Sequence, residues 1–196
     1  MWKERFSDND LSPEYSEPRY RELVFNQAMG LEDDKLFACS TQAHLVHLYD
    51  AITNDRIGLA VDEVKILPIE NELAVFARNV DNIRQYLDQG RTLKVLFANA
   101  GEASSPNARA MLTVHETHPD QFEVRVLPES DQSIQERFMV AGNAYRFQSE
   151  PGQGNAICTF DGDAKDNLNR QFDVLFERAE PLEYEASQQQ APEAPV

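Results

Sequence analysis

The stretch from Glu70 to Phe97 constrains the fold most, because an amphipathic helix there stops at a glycine and the chain turns at once into an apolar strand. Leu73, Phe76, Val80, Ile83 and Leu87 recur at the three- and four-residue spacing of one helical face, while Arg78, Asn79, Asp81, Asn82, Gln85 and Asp88 lie on the other. Glu70 and Glu72 sit at the positive end of the helix dipole and Arg84 lies towards the negative end. Gly90 supplies the left-handed position that closes the helix. Leu93 to Phe97 then opens a second half dominated by period-two patterns, which sets a boundary near Gly90 between a mixed helical part and a β-rich part.

With 196 residues, 41% of them hydrophobic, the chain can bury a sizeable core without disulfide staples. Cys39 and Cys158 lie far apart and neither belongs to a CxxC, which points to free thiols in a reducing compartment. The first residues carry no basic region followed by an apolar run, and no window reaches the length of a membrane span, so the expected location is cytoplasmic. The 34 acidic against 18 basic residues give a net charge of -16, spread along the chain. Such a field repels phosphate backbones and anionic lipid, which argues against direct nucleic-acid or membrane binding.

The organisation expected from these patterns is α+β: a flexible acidic arm over 1–15, a mixed helical part over 16–90, a small antiparallel β-barrel or sandwich over 91–182, and a disordered tail over 183–196. Ser16 and Pro18 mark a helix start that Gly30 ends. Residues 41–66 read either as a helix followed by a strand or as a hairpin turning at Thr53-Asn54-Asp55, with the helix over 41–53 and a strand within 57–67 preferred. Beyond Gly90, strands are expected at Leu93–Ala98, at Ala110–His115 and Phe122–Val126 as a hairpin, and at Phe138–Val140, Ala144–Gln148, Ala156–Phe160 and Phe172–Phe176.

Chemistry-bearing motifs are sparse. All four histidines fall in two HxxH pairs, His44/His47 and His115/His118. On a helix, His44 and His47 would share a face and hold a zinc ion, with Cys39 or an acid as a further ligand. His115 and His118 fall on a strand end and a turn, and converge only if the turn re-aims one of them. There is no HExxH, no GxSxG and no phosphate-binding glycine loop, and Gly152-Gln153-Gly154 reads as a β-turn. Asp161-Gly162-Asp163 followed by Asp166 reads as a hairpin turn, since a calcium loop would need a glutamate at its twelfth position.

From about residue 70 to 165 the order helix, glycine, apolar strand, hairpin and two further strands resembles the N-terminal barrel of flagellar-brake proteins, the PilZ-associated group. The residues that carry this are Ile83-Arg84-Gln85-Tyr86-Leu87 before Gly90, Leu93 to Phe97, Met111-Leu112-Thr113-Val114, Phe122 to Val126, and Ala156 to Phe160. The resemblance implies cytosolic control of motility or surface behaviour. The group's ligand motif, an RxxxR run followed by D/NxSxxG, is absent, so the resemblance implies a barrel that contacts protein partners without reading a cyclic dinucleotide.

The function expected from the sequence is therefore a non-enzymatic cytoplasmic regulatory or adaptor protein with a protein partner. Two other classes stand beside it: an acidic mimic of nucleic acid that blocks a DNA-binding protein, and a small-molecule- or metal-binding barrel with a scattered site near His44 or His115.

Overall fold

The computed structural model describes residue 20 and residues 37–38, 45–46, 48–49, 61–142, 144–148, 157–159 and 162–182. The arm over 1–15, the tail over 183–196, Cys39, His44, His47 and Gly152 to Gly154 lie outside the described residues.

The Glu70–Phe97 stretch forms as its pattern requires, with one difference. The helix is two helices, α1 (Glu70–Arg78) and α2 (Val80–Asp88), joined at Asn79. Asn79 ends the first by donating its backbone N–H to the Val75 and Phe76 carbonyls and its side-chain amide to the Val75 carbonyl at 2.8 Å. That local bonding competes with the continuing helix. Gly90 has φ +79, the left-handed conformation that closes α2, and its N–H bonds the Leu87 carbonyl.

Three strands run parallel: β2 (Glu63–Leu67), β3 (Thr92–Phe97) and β4 (Phe122–Val126), with Val64 beside Leu93 and Leu93 beside Phe122. Parallel neighbours need crossovers, and helices supply them: α1 and α2 between β2 and β3, then α3 (Ala100–Ala103) and α4 (Pro106–Thr117) between β3 and β4. The chain then returns to the other side of β2. There β5 (Arg137–Ala141), β6 (Ala144–Gln148) and β7 (Ile157–Thr159) add antiparallel strands, turning at Gly142 with φ +56. Two-residue strands finish the edges, β1 (Phe37–Ala38) against β7 and β8 (Glu180–Pro181) against β4. The order is β1-β7-β6-β5-β2-β3-β4-β8, a linear series.

The chain is thus a mixed α/β protein, compatible with the α+β class, but the barrel or sandwich expected from sequence is not there. Among the described residues the sheet is single, mixed and open, and β2 before Gly90 and β3 after it lie side by side in it. Two expected strands are helices. Ala110–His115 lies inside α4, started by Ser105, whose hydroxyl accepts from the Ala108 N–H, and by Pro106 in the first turn. Phe172–Phe176 lies inside the long helix α5 (Gly162–Arg178), which also takes Gly162, expected in a turn.

Each face of the sheet is covered. On one, Val64, Ile66, Leu93, Val95, Phe97 and Met139 pack against Leu73, Phe76, Ile83, Leu87, Met111 and Leu112 from α1, α2 and α4. On the other, Leu67, Leu96, Phe138 and Val140 pack against Leu168, Phe172, Leu175 and Phe176 of α5. Burial of each such side chain contributes about 1.5–3 kcal/mol, so the two apolar layers are the main source of stability.

Ion pairs fix α5 on its face. The Lys65 ammonium of β2 donates to Asn169 Oδ1 and Asp173 Oδ1 of α5, each at 2.7 Å, and meets Glu63 at 3.1 Å. Glu63 also takes Lys94 at 2.7 Å. Burial alone would push the Lys65 ammonium down, but Asp173 and Glu63 hold it above its ordinary value of 10.5. Likewise burial would push the Glu63 carboxyl up, but Lys94 and Lys65 hold it below 4.5. The lowered carboxyl contributes stability that is present above 4.5 and lost as pH falls through its folded value. The raised ammonium contributes stability that is present below 10.5 and lost as pH rises through its folded value. Thermal melts across pH should therefore show a plateau between these limits, with a shallower alkaline fall in Lys65→Met and a shallower acid fall in Glu63→Gln. Unchanged limbs in both variants would remove these residues from the account.

Candidate functional site at the carboxyl edge of the sheet

Because β2, β3 and β4 are parallel, their carboxyl ends and the amino ends of α1, α3 and α4 meet at one edge. The chain also reverses its direction of travel across the sheet there: β3 and β4 follow β2 on one side, and β5 comes back to its other side, with Phe138 opposite Leu67. In open α/β sheets, ligands bind outside the carboxyl ends of the strands at such a switch point.

Two arginines of the antiparallel strands turn, at this edge, into the face covered by α1, α2 and α4. Arg146 of β6 is completely buried and its Nη1 lies 2.9 Å from Glu72 Oε1 of α1, which is completely buried too. Glu72 is held from three directions, since its Oε1 also accepts from the Tyr49 hydroxyl at 3.1 Å and its Oε2 from the Ile69 backbone N–H at 2.8 Å. Arg146 Nη2 donates to Gln148 Oε1 at 2.7 Å. A buried charge is tolerable only when paired and hydrogen-bonded in this way.

Arg137 stands opposite Gln148 in the register, on the same face. Its Nη1 donates to the carbonyls of Ile134 and Glu136 at 2.8 and 3.1 Å, and its Nη2 donates to Glu102 Oε1 of α3 at 3.1 Å. The side chain of Arg137 is 8% exposed and that of Glu102 is 30% exposed. Glu102 Oε2 accepts from the Ala98 N–H at 3.2 Å, and Asn99 caps α3 by accepting from the Glu102 N–H. Nearby, Asn107 of α4 donates to Glu70 of α1 at 2.7 Å, tying the first turns of the two helices together.

His115 and His118 do not belong to this edge. His44 and His47, expected to hold zinc, lie outside the described residues. His115 and His118 lie at the far end of α4 and take separate partners, His115 the Phe122 carbonyl and His118 the Asp88 carboxylate at 3.0 Å. Among the described residues no group of three or more His, Cys, Asp or Glu side chains comes together as metal ligands would. No described helix is long and apolar enough to cross a membrane.

Sequence reasoning missed Arg137, Arg146 and Glu102 as site residues and read Glu72 as a dipole partner alone. The available signal was the placement of Arg137 and Arg146 at positions alternating with Phe138 and Phe147 in apolar strands, which period-two reading assigns to solvent.

No protein-family model matches the sequence, and no curated protein does. Solved structures do share the fold. The archaeal chromatin protein TrmBL2, described as showing a novel mode of DNA binding, superposes with a TM-score of 0.57 at 13% identity, over 84% of this chain and 62% of that one. Nuc from Salmonella typhimurium, a phospholipase D family member, gives 0.52 at 8% identity, over 76% of this chain and 97% of that one. Polyphosphate kinase from Porphyromonas gingivalis gives 0.57 at 11% identity, over 89% of this chain and 31% of that one. The chain therefore spans under two thirds of the chromatin protein and about a third of the kinase. It shares the fold of the matched parts of these proteins. The resemblance to PilZ-associated flagellar-brake barrels is overturned by this likeness and by the open sheet, and the non-enzymatic barrel adaptor expected from the missing catalytic motifs, the strand pattern and the acidic surface falls as well.

Proposed function

We propose that the carboxyl edge of the sheet binds a small phosphorylated ligand, with Arg137 as the anchoring cation. The observation that carries this reading is the Arg137 guanidinium at the switch point. It has five N–H donors in a planar fork suited to phosphate oxygens, and three hydrogen bonds to described residues engage only its two terminal nitrogens. The positive ends of α1 and α4 face the same edge, which favours an anion there. The three fold neighbours, a chromatin protein described by its DNA binding, a phospholipase D family member and a polyphosphate kinase, all point to phosphate chemistry and support the same class of ligand.

Charge favours a short ligand over a nucleic-acid duplex. Extended DNA binding neutralises many phosphates with Lys and Arg, whereas this chain carries 34 acids against 18 bases. The test is titration with inorganic pyrophosphate and with the dinucleotide thymidylyl-thymidine, followed by 31P NMR, which also reports any turnover as new resonances. Saturable binding of one of them is expected, weakened tenfold or more in Arg137→Gln and partly retained in Arg137→Lys, with folding checked by circular dichroism. Absence of saturable binding up to about 10 mM of either probe, the range of the weakest specific complexes, would overturn the reading.

A further inference from the structure

The two carboxylates at this edge are held very differently, and the difference assigns them different work. Glu72 is completely buried and fixed by Arg146, Tyr49 and the Ile69 N–H, so its removal would take the counter-charge from a buried guanidinium. Glu102 reaches Arg137 through a single oxygen at 3.1 Å, its other oxygen takes one backbone N–H, and nearly a third of its side chain is open to solvent. It also stands on a helix of only four residues. A carboxylate presents the same charge and acceptor geometry to a guanidinium as one edge of a phosphate.

Resting on the phosphoryl-site reading above, we infer that Glu102 is a built-in competitor: it occupies Arg137 and is exchanged for the incoming phosphoryl group. Binding is then an anion exchange at one guanidinium. Selectivity follows from it, because a ligand must offer Arg137 more than the carboxylate it displaces. A phosphate group satisfies that, because beyond the two oxygens on the fork it has others to set against the positive ends of α1 and α4 at this edge, whereas a simple carboxylate such as acetate has none to spare and must also displace a carboxylate tethered to the same chain. Arg146 takes no part in the exchange, since its partner is sealed.

The experiment compares wild type with Glu102→Gln, which keeps an acceptor for the Ala98 N–H but removes the charge, using pyrophosphate and thymidylyl-thymidine as probes. Removing a negative charge beside the bound anion should tighten binding about tenfold. Acetate is then expected to bind the variant measurably and not to bind wild type. Binding detected only in the variant is the same result at its extreme. Glu102→Asp, which keeps the charge on a shorter arm, provides a second test if the glutamine variant fails to fold, and an intermediate tightening is expected. Saturable binding to wild type with equal or weaker binding to both variants would overturn the exchange and leave the phosphoryl site standing. No binding by wild type or either variant would overturn the site itself and the exchange with it. The melting temperature without ligand separates the two roles, because a merely structural Glu102 would lower it on substitution without tightening any probe.

Discussion

Replacing Arg146 with alanine is expected to lower the melting temperature by roughly 6–20 °C. The change strands the completely buried Glu72 carboxylate, and breaking such a pair costs about 3–5 kcal/mol. For a chain of this length each kcal/mol shifts the midpoint by about 2–4 °C. Glu72→Ala should cost a similar amount, since it leaves the guanidinium behind and also removes the acceptor of the Tyr49 hydroxyl and the Ile69 N–H. The double variant Glu72→Leu with Arg146→Met should be much closer to wild type than either single variant, because an apolar pair of similar volume replaces the ions without stranding one. Differential scanning calorimetry of wild type, Glu72→Leu, Arg146→Met and the double variant closes the cycle. If the double variant is as unstable as the sum of the singles, the coupling between Glu72 and Arg146 is not what holds this part of the edge together.

That pair also shows where sequence reading stops. Elements whose boundaries carry local chemistry were legible: Gly90 closes α2 in the left-handed conformation, and Phe122–Val126 is a strand with the expected bounds. Within 57–67 a strand forms at Glu63–Leu67, and Leu45, Val46, Leu48 and Tyr49 are helical, in keeping with the preferred reading. The reading of Ala110–His115 as a strand rested on the local run Met111-Leu112-Thr113-Val114, whose apolar and β-branched content suits either period. The Ser105-Pro106 start and the helical spacing of Ala108, Met111 and Leu112 identify the helix, and all three are buried in it. Missing that helix turned a crossover into a hairpin and a parallel pair into an antiparallel one, and the barrel expectation followed from it. A further sign was the unbroken run Val95-Leu96-Phe97, completely buried on both faces, which is the mark of a strand inside a covered parallel sheet. The site was less legible for a different reason. Arg137 meets Glu102, and Arg146 meets Glu72, only because the sheet order brings β5 back beside β2 and β6 beside β5, and no local pattern encodes that return.

On the opposite face, Phe172→Ala should be the most damaging single change in α5, costing about 3–5 kcal/mol as large buried aromatics do. The ring is completely buried, stacks on Phe176 with centroids 5.3 Å apart, and meets Phe138 of β5 edge-on at 6.4 Å. Asp173→Asn, one residue further along, should cost at most about 1 kcal/mol, because its carboxylate is half exposed and solvent screens its pair with Lys65. The contrast separates two ways of fixing a helix to a sheet: apolar burial supplies the binding strength, while the Lys65 network supplies register and the pH window. Hydrogen exchange gives the direct measure. In Phe172→Ala the amides of α5 should exchange faster relative to those of α4, whose contacts lie on the other face, whereas in Asp173→Asn the two helices should keep their ranking. Equal losses of α5 protection in both variants would mean that the ion pairs, rather than the aromatic layer, carry the docking of this helix. Because Phe138 follows Arg137 directly in β5, a loosened α5 should also reach the carboxyl edge, so Phe172→Ala is expected to weaken binding at Arg137 without touching it.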